Sequence, residues 1–150
     1  MAERDYSGTP LWKKLGVKEA ARVAIVDGPA GFAGVLGRLP PGARIVARPT
    51  GRLDVIVLFA TSATRLPARF ERLARALEPD GGLWVAYPKR SSGVATDLTF
   101  ENVQAVGLGA GLVDNKSCAV DETWSALRFV YRLKDRGMKE PKPLATKRSG

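Results

Sequence analysis

The chain has no histidine and only one cysteine among its 150 residues. Histidine is the side chain that most often serves as general base and metal ligand near neutral pH, so its absence argues against hydrolytic and metal chemistry. Cys118 alone cannot close an intramolecular disulfide, and such sparing cysteine usage suits a reducing cytoplasm. No apolar run approaches the roughly 20 residues that a membrane-spanning helix needs, and the opening segment MAERDYSGTP is polar rather than signal-like. The expectation is a cytoplasmic protein without membrane contact. A further absence is the set of three spaced glycines that lets a strand–helix turn approach a dinucleotide. The corresponding turn here reads Asp27-Gly28-Pro29-Ala30-Gly31-Phe32, and its proline has no amide to donate.

What is present is a strong strand signal. The runs LDVIVLFA (53–60) and LWVAY (83–87) are too uniformly apolar to leave one face wet, which is the pattern of parallel strands covered on both sides. Between them, Leu66, Phe70, Leu73 and Leu77 fall on one face of a helix expected at about 63–77. Arg65, Arg69, Arg72 and Arg75 gather on another face, roughly 125° away at 100° per residue. The segment is therefore a strand–helix–strand crossover. Upstream, Thr9-Pro10 caps a short helix LWKKL that Gly16 closes, RVAIVD (22–27) is a first strand, residues 30–38 form a short helix and ARIVAR (43–48) is a second strand. Pro79-Asp80-Gly81-Gly82 reads as a turn before the fourth strand. Thr99 caps a helix over 99–108, and LVDNKSCAV (112–120) with SALRFVYRL (125–133) forms an antiparallel hairpin whose Arg128 and Arg132 mark a wet face.

Size and charge complete the frame. A chain of this length buries roughly two-thirds of its unfolded surface without staples. Of the net charge of +9, +4 lies in residues 134–150 and +5 in the body, a balance that serves solubility as readily as nucleic-acid binding. Residues 1–133 are expected to form one domain with a flexible start at 1–8. Residues 134–150 are expected to be a basic, disordered tail.

The order of strand, helix, EPDGGLWV strand, helix and terminal hairpin resembles the second half of a class I methyltransferase fold, with the first half shortened by one strand–helix unit. The phrases YSGTPLWKKLGV, LEPDGGLWVAYPK, SGVATDLT and GLVDNKSCAVDETWSALRFV, spread over residues 6–133, resemble a family of short bacterial proteins of unassigned function. The resemblance implies a single Rossmann-like three-layer α/β domain: a mostly parallel sheet of about six strands ending in an antiparallel hairpin. It brings no catalytic residue. Three departures count against ordinary S-adenosylmethionine binding. They are the altered turn at 27–32, Arg48-Pro49 where an acidic residue would hold the ribose hydroxyls, and Thr61-Ser62 where a catalytic signature would follow the third strand.

In open parallel sheets, ligands bind beyond the carboxyl ends of the strands where the strand order reverses. Those ends supply Asp27, Gly28, Thr61, Ser62, Lys89 and Ser91 as candidate ligand-binding residues. Hydroxyls beside a lysine suit a phosphate or carboxylate, although Ser62 and Ser92 are also ordinary loop and cap residues. Arg48 is placed to meet a 2′-phosphate, and Asp121, Glu122 and Trp124 of the hairpin turn can reach the same edge. Cys118 reads as a small buried hydrophobe. The arginine face at 65, 69, 72 and 75 is the candidate nucleic-acid surface, but no aromatic platform is interleaved with it.

The leading expectation is a non-catalytic, methyltransferase-like module that binds a protein partner or small anion and carries no catalytic residue, cofactor or metal. The alternatives are a minimal enzyme or an S-adenosylmethionine or nucleotide binder using the strand-end crevice, and weak nucleic-acid binding through the arginine helix and tail.

Overall fold

A computed structural model describes residues 9–136, so the expectations for 1–8 and for 137–150 fall outside the described residues. The chain builds a six-stranded sheet in the order β2-β1-β3-β4-β6-β5. The strands are β1 (Arg22–Val26), β2 (Arg44–Ile45), β3 (Leu53–Phe59), β4 (Leu77–Pro88), β5 (Leu112–Ala119) and β6 (Trp124–Tyr131). β2, β1, β3 and β4 run parallel, while β6 pairs antiparallel with both β4 and β5. This is the expected mostly parallel sheet with a terminal hairpin at its edge.

Helices cover both faces, and the alternation of side chains along each strand assigns every residue to a side. On one face α1 (Leu11–Lys14) and α2 (Phe32–Leu36) pack over Val23, Val55, Val57, Phe59, Trp84 and Ala86. On the other, α3 (Leu66–Arg75) and α4 (Phe100–Gly109) pack over Ala24, Ile56, Leu58, Leu83, Val85, Leu127 and Phe129. Residues 55–59 and 81–86 are buried without interruption, as the two apolar runs demand. Trp84 is fully buried and its indole N–H still finds a partner, the Leu15 carbonyl at 2.9 Å. The first helix is thereby tied to the middle of the sheet.

Several elements differ from the sequence expectation. Pro79-Asp80-Gly81-Gly82 is not a turn but part of β4, where a bulge lets the pairing jump from Leu53↔Leu77 to Val55↔Gly82. Glycine is required at 81 by close approach, since a Cβ there would lie 2.7 Å from the Asp54 carbonyl, while a Cβ on Gly82 would lie 2.3 Å from Nε of Arg128 and would displace that side chain. Arg128, expected on a wet face, is half-buried across this bulge, and burial pushes its pKa down. The second strand shrinks from 43–48 to Arg44–Ile45. α3 spans 66–75 rather than 63–77, because Leu77 already belongs to β4. α1 begins after Pro10, which occupies the cap position expected for Thr9, and Gly16 at φ 85° closes it. The cap on α4 is as expected and is reciprocal: the Thr99 hydroxyl accepts from the Asn102 amide and the Asn102 side chain accepts from the Thr99 amide. Residues 133–136, at the start of the expected tail, form a helical turn, α5 (Leu133–Arg136).

Candidate functional site

The chain leaves β1 toward β2 on one side and returns to β3 on the other, so the strand order reverses between β1 and β3. Their carboxyl ends lie side by side in register, Val26 opposite Leu58. Beyond them opens a crevice of about 280 Å³, just below the roughly 300–1,000 Å³ of small-molecule sites. Asp27, Thr61, Ser62, Arg65, Arg69 and Trp124 line it, with Phe59 beneath.

Each side chain arrives for a local reason. Asp27 follows β1 in the left-handed conformation, φ 58°, which Asp tolerates better than most residues. Its carboxylate pairs with the guanidinium of Arg69, which projects from the first half of α3. Ser62 acts as a local cap, its hydroxyl accepting from the Arg65 amide at 3.3 Å while its carbonyl accepts from the Leu66 amide. The back wall is aromatic. Phe59 meets Phe32 edge-on at 4.8 Å and Trp124 edge-on at 4.9 Å. Trp124 reaches this end because β6 runs antiparallel and begins where β1 and β3 finish. The rim is held from outside by the loop before α4. The Thr96 hydroxyl donates to the Thr61 carbonyl at 2.7 Å, and the Asp97 carboxylate accepts from the Ala63 amide at 2.8 Å.

The structure brings together part of the expected set. Asp27, Thr61 and Ser62 share the crevice, joined by Trp124 and by Arg65 and Arg69. Lys89 does not join them: its amide donates to the Thr123 carbonyl at 2.7 Å, and the residue lines a separate, larger cavity against α4. Ser91 is exposed in a 3-10 turn, Arg90–Ser92, and lines neither cavity. Ser92 makes local bonds, donating to the Lys89 carbonyl and accepting from the Val94 amide. Gly28 is used for packing, since a Cβ there would lie 2.6 Å from Ile25 and 3.4 Å from Phe59. Arg48 is exposed in the turn after β2. Asp121 is spent on its own turn, accepting from the Thr123 and Trp124 amides at 2.8 Å, and neither it nor Glu122 lines the crevice. Cys118 is partly buried, and desolvation pushes its thiol up against the opposing pull of Lys14 and Lys116.

Arg65, Arg72 and Arg75 are exposed, while Arg69 is turned into the crevice by Asp27. The periodicity puts Arg69 on one helix face with Arg65, Arg72 and Arg75. Its pairing across 42 residues had no local signal.

Among solved structures, the chain is similar to an S-adenosylmethionine-dependent methyltransferase from Aquifex aeolicus, at 15% identity over 78% of this chain and 85% of that one, TM-score 0.58. It is also similar to the fibrillarin pre-rRNA processing protein of Methanococcus jannaschii, at 10% identity over 77% of this chain and 68% of that one, TM-score 0.58. A third is magnesium protoporphyrin IX methyltransferase from Synechocystis with bound S-adenosylmethionine, at 10% identity over 81% and 74%, TM-score 0.55. The fold is that of the Rossmann-like methyltransferases. No protein-family model matches the chain, and no curated protein matches it either.

The turn after β1 departs from the glycine-rich turn of dinucleotide-binding strand–helix units. Gly28 is filled from below by Ile25 and Phe59, Pro29 donates no amide, α2 has only five residues, and the Asp27–Arg69 pair stands in the space beyond the strand end. Among the described residues no cluster of three metal-ligating side chains is found, and no helix is long and apolar enough to cross a membrane.

Proposed function

We propose that this protein is a binding module of methyltransferase fold whose switch-point crevice takes a small phosphate- or carboxylate-bearing ligand. The observation that carries the reading is the Asp27–Arg69 pair: the guanidinium in the crevice already holds a carboxylate, the chain's own. The Arg69 guanidinium, a second arginine at position 65 and the hydroxyls of Thr61 and Ser62 are the groups that recognise such an anion. The aromatic wall of Phe59 and Trp124 gives the ligand an apolar surface to lie against. In this reading the ligand competes with Asp27 for Arg69.

The pair is well exposed, with 35% and 55% of the two side chains accessible, so breaking it costs only about 0.2–1 kcal/mol. Asp27→Asn keeps a residue that accepts the left-handed conformation while removing the competing charge. It should tighten binding of inorganic phosphate by about 1.5- to 5-fold. Arg69→Ala should abolish it. The test is a thermal-shift panel on the wild type and both variants with phosphate, acetate and S-adenosylmethionine. Stabilisation by phosphate or acetate that follows this order supports the reading. Stabilisation by S-adenosylmethionine alone would replace it with cofactor binding.

A further inference from the structure

A second cavity, about 590 Å³, lies on the α4 side of the sheet, between the end of β4, the loop before α4 and the start of β6. It is larger than the switch-point crevice and differs in chemistry. Of the six large apolar side chains exposed on the described surface, two are on its walls: Val94, 41% exposed, and Phe100, 40% exposed. With Leu98 and the ring of Tyr87 they are the large apolar side chains of its lining. The charges around it are two cations, Lys89 and Arg90, and two carboxylates, Asp97 and Glu101. Asp97 turns one carboxylate oxygen to the Ala63 amide, on the side of the switch-point crevice. Glu101 stands beside Tyr87, whose phenol is pushed up first by burial and then by that carboxylate, and it sits in the first turn of α4, where the helix dipole stabilises a negative charge. Lys89, Arg90, Asp97 and Glu101 form no ion pair among the described residues, so both cations keep a free charge at the cavity.

Two neighbouring cations beside apolar side chains recognise a particular kind of molecule: a compact hydrophobic body ending in an anionic group. We propose that this cavity is a binding site for small apolar carboxylates, the acid group held by Lys89 and Arg90 and the body lying against Val94, Leu98 and Phe100. The site is separate from the crevice at β1 and β3 and does not rest on what that crevice binds. It does share a wall with it, because Thr96 and Asp97 line this cavity while bonding to the backbone of Thr61 and Ala63.

Phenylacetate, with phenylacetamide as its uncharged counterpart, is the probe. Titrated into the isotope-labelled full chain, phenylacetate should shift the amide resonances of Tyr87, Leu98, Phe100 and Ser125, with a Kd in the range of about 1 mM expected for a fragment of this size. The amide should bind at least about tenfold more weakly, and Lys89→Gln with Arg90→Gln should weaken phenylacetate to the same degree. Val94→Ala, at an exposed position that cannot unfold the domain by leaving a core cavity, should weaken both probes. Equal binding of acid and amide, shifts centred on Phe59, Arg69 and Trp124, or no shift up to about 10 mM would each overturn the proposal.

Discussion

Gly107, on the inner face of α4, looks straight at the ring of Phe129. A Cβ there would lie 2.1 Å from Cε1, and the ring has no freedom to withdraw, being fully buried and edge-on to Phe70 at 5.1 Å. Gly107→Ala is therefore expected to destabilise the protein by about 1–3 kcal/mol through overpacking, although alanine is the better helix former by about 1 kcal/mol. Urea unfolding decides between the two effects, and a midpoint that rises would show that the helix and sheet can part. Tyr131 makes a second residue-level prediction. Its hydroxyl donates to the Ala74 carbonyl at 2.5 Å, and burial raises its pKa above the ordinary 10.0, the nearby Arg75 and Arg52 opposing. A group whose folded pKa is raised stabilises fully below its unfolded pKa and loses that contribution as pH climbs through the folded one. Burial of Cys118, whose ordinary value is 9.0, acts in the same direction. Stability measured by thermal melting should fall above about pH 9, and Tyr131→Phe should flatten the upper part of that fall while costing about 1 kcal/mol at neutral pH. A melting temperature constant to pH 11 would contradict both assignments.

Among the elements, α4 rests most visibly on local chemistry. Its Thr99–Asn102 capping box satisfies two backbone amides, and the Asn102 side chain also donates to the Asp97 carbonyl, locking the loop that holds the rim of the crevice. Thr99→Ala should cost about 1 kcal/mol and should raise the hydrogen-exchange rate of the Ala63 amide, which is bonded to Asp97. Unchanged exchange at Ala63 would separate the cap from the rim. This cap was legible because Thr99, followed by an apolar helix, is a local signal. So were β3, the core of β4 and the hairpin, since their periodicity or uninterrupted apolar character is written in neighbouring residues. The bulge at 77–82 was not. Pro-Asp-Gly-Gly is turn chemistry by composition, and only the approach of the Asp54 carbonyl and Arg128 from other strands makes it extended. The candidate site divides in the same way. Asp27, Thr61 and Ser62 were found because topology puts strand ends together. Arg69 was read as part of an exposed stripe, and Lys89 as part of the crevice, because both placements depend on contacts with distant residues, Asp27 and Thr123.

At the scale of the whole molecule, the strand order and the helices on both faces reproduce the methyltransferase fold, while the turn after β1 carries Gly28, Pro29 and the Asp27–Arg69 pair in place of three spaced glycines. The central claim is that this strand end is a seat for a ligand anion, occupied in the free protein by Asp27. A calorimetric titration of inorganic phosphate into the wild type, Asp27→Asn and Arg69→Ala tests it most directly. The account predicts heat of binding in the wild type, tighter binding by about 1.5- to 5-fold in Asp27→Asn and none in Arg69→Ala. Binding that Asp27→Asn weakens, or that survives Arg69→Ala unchanged, would contradict it.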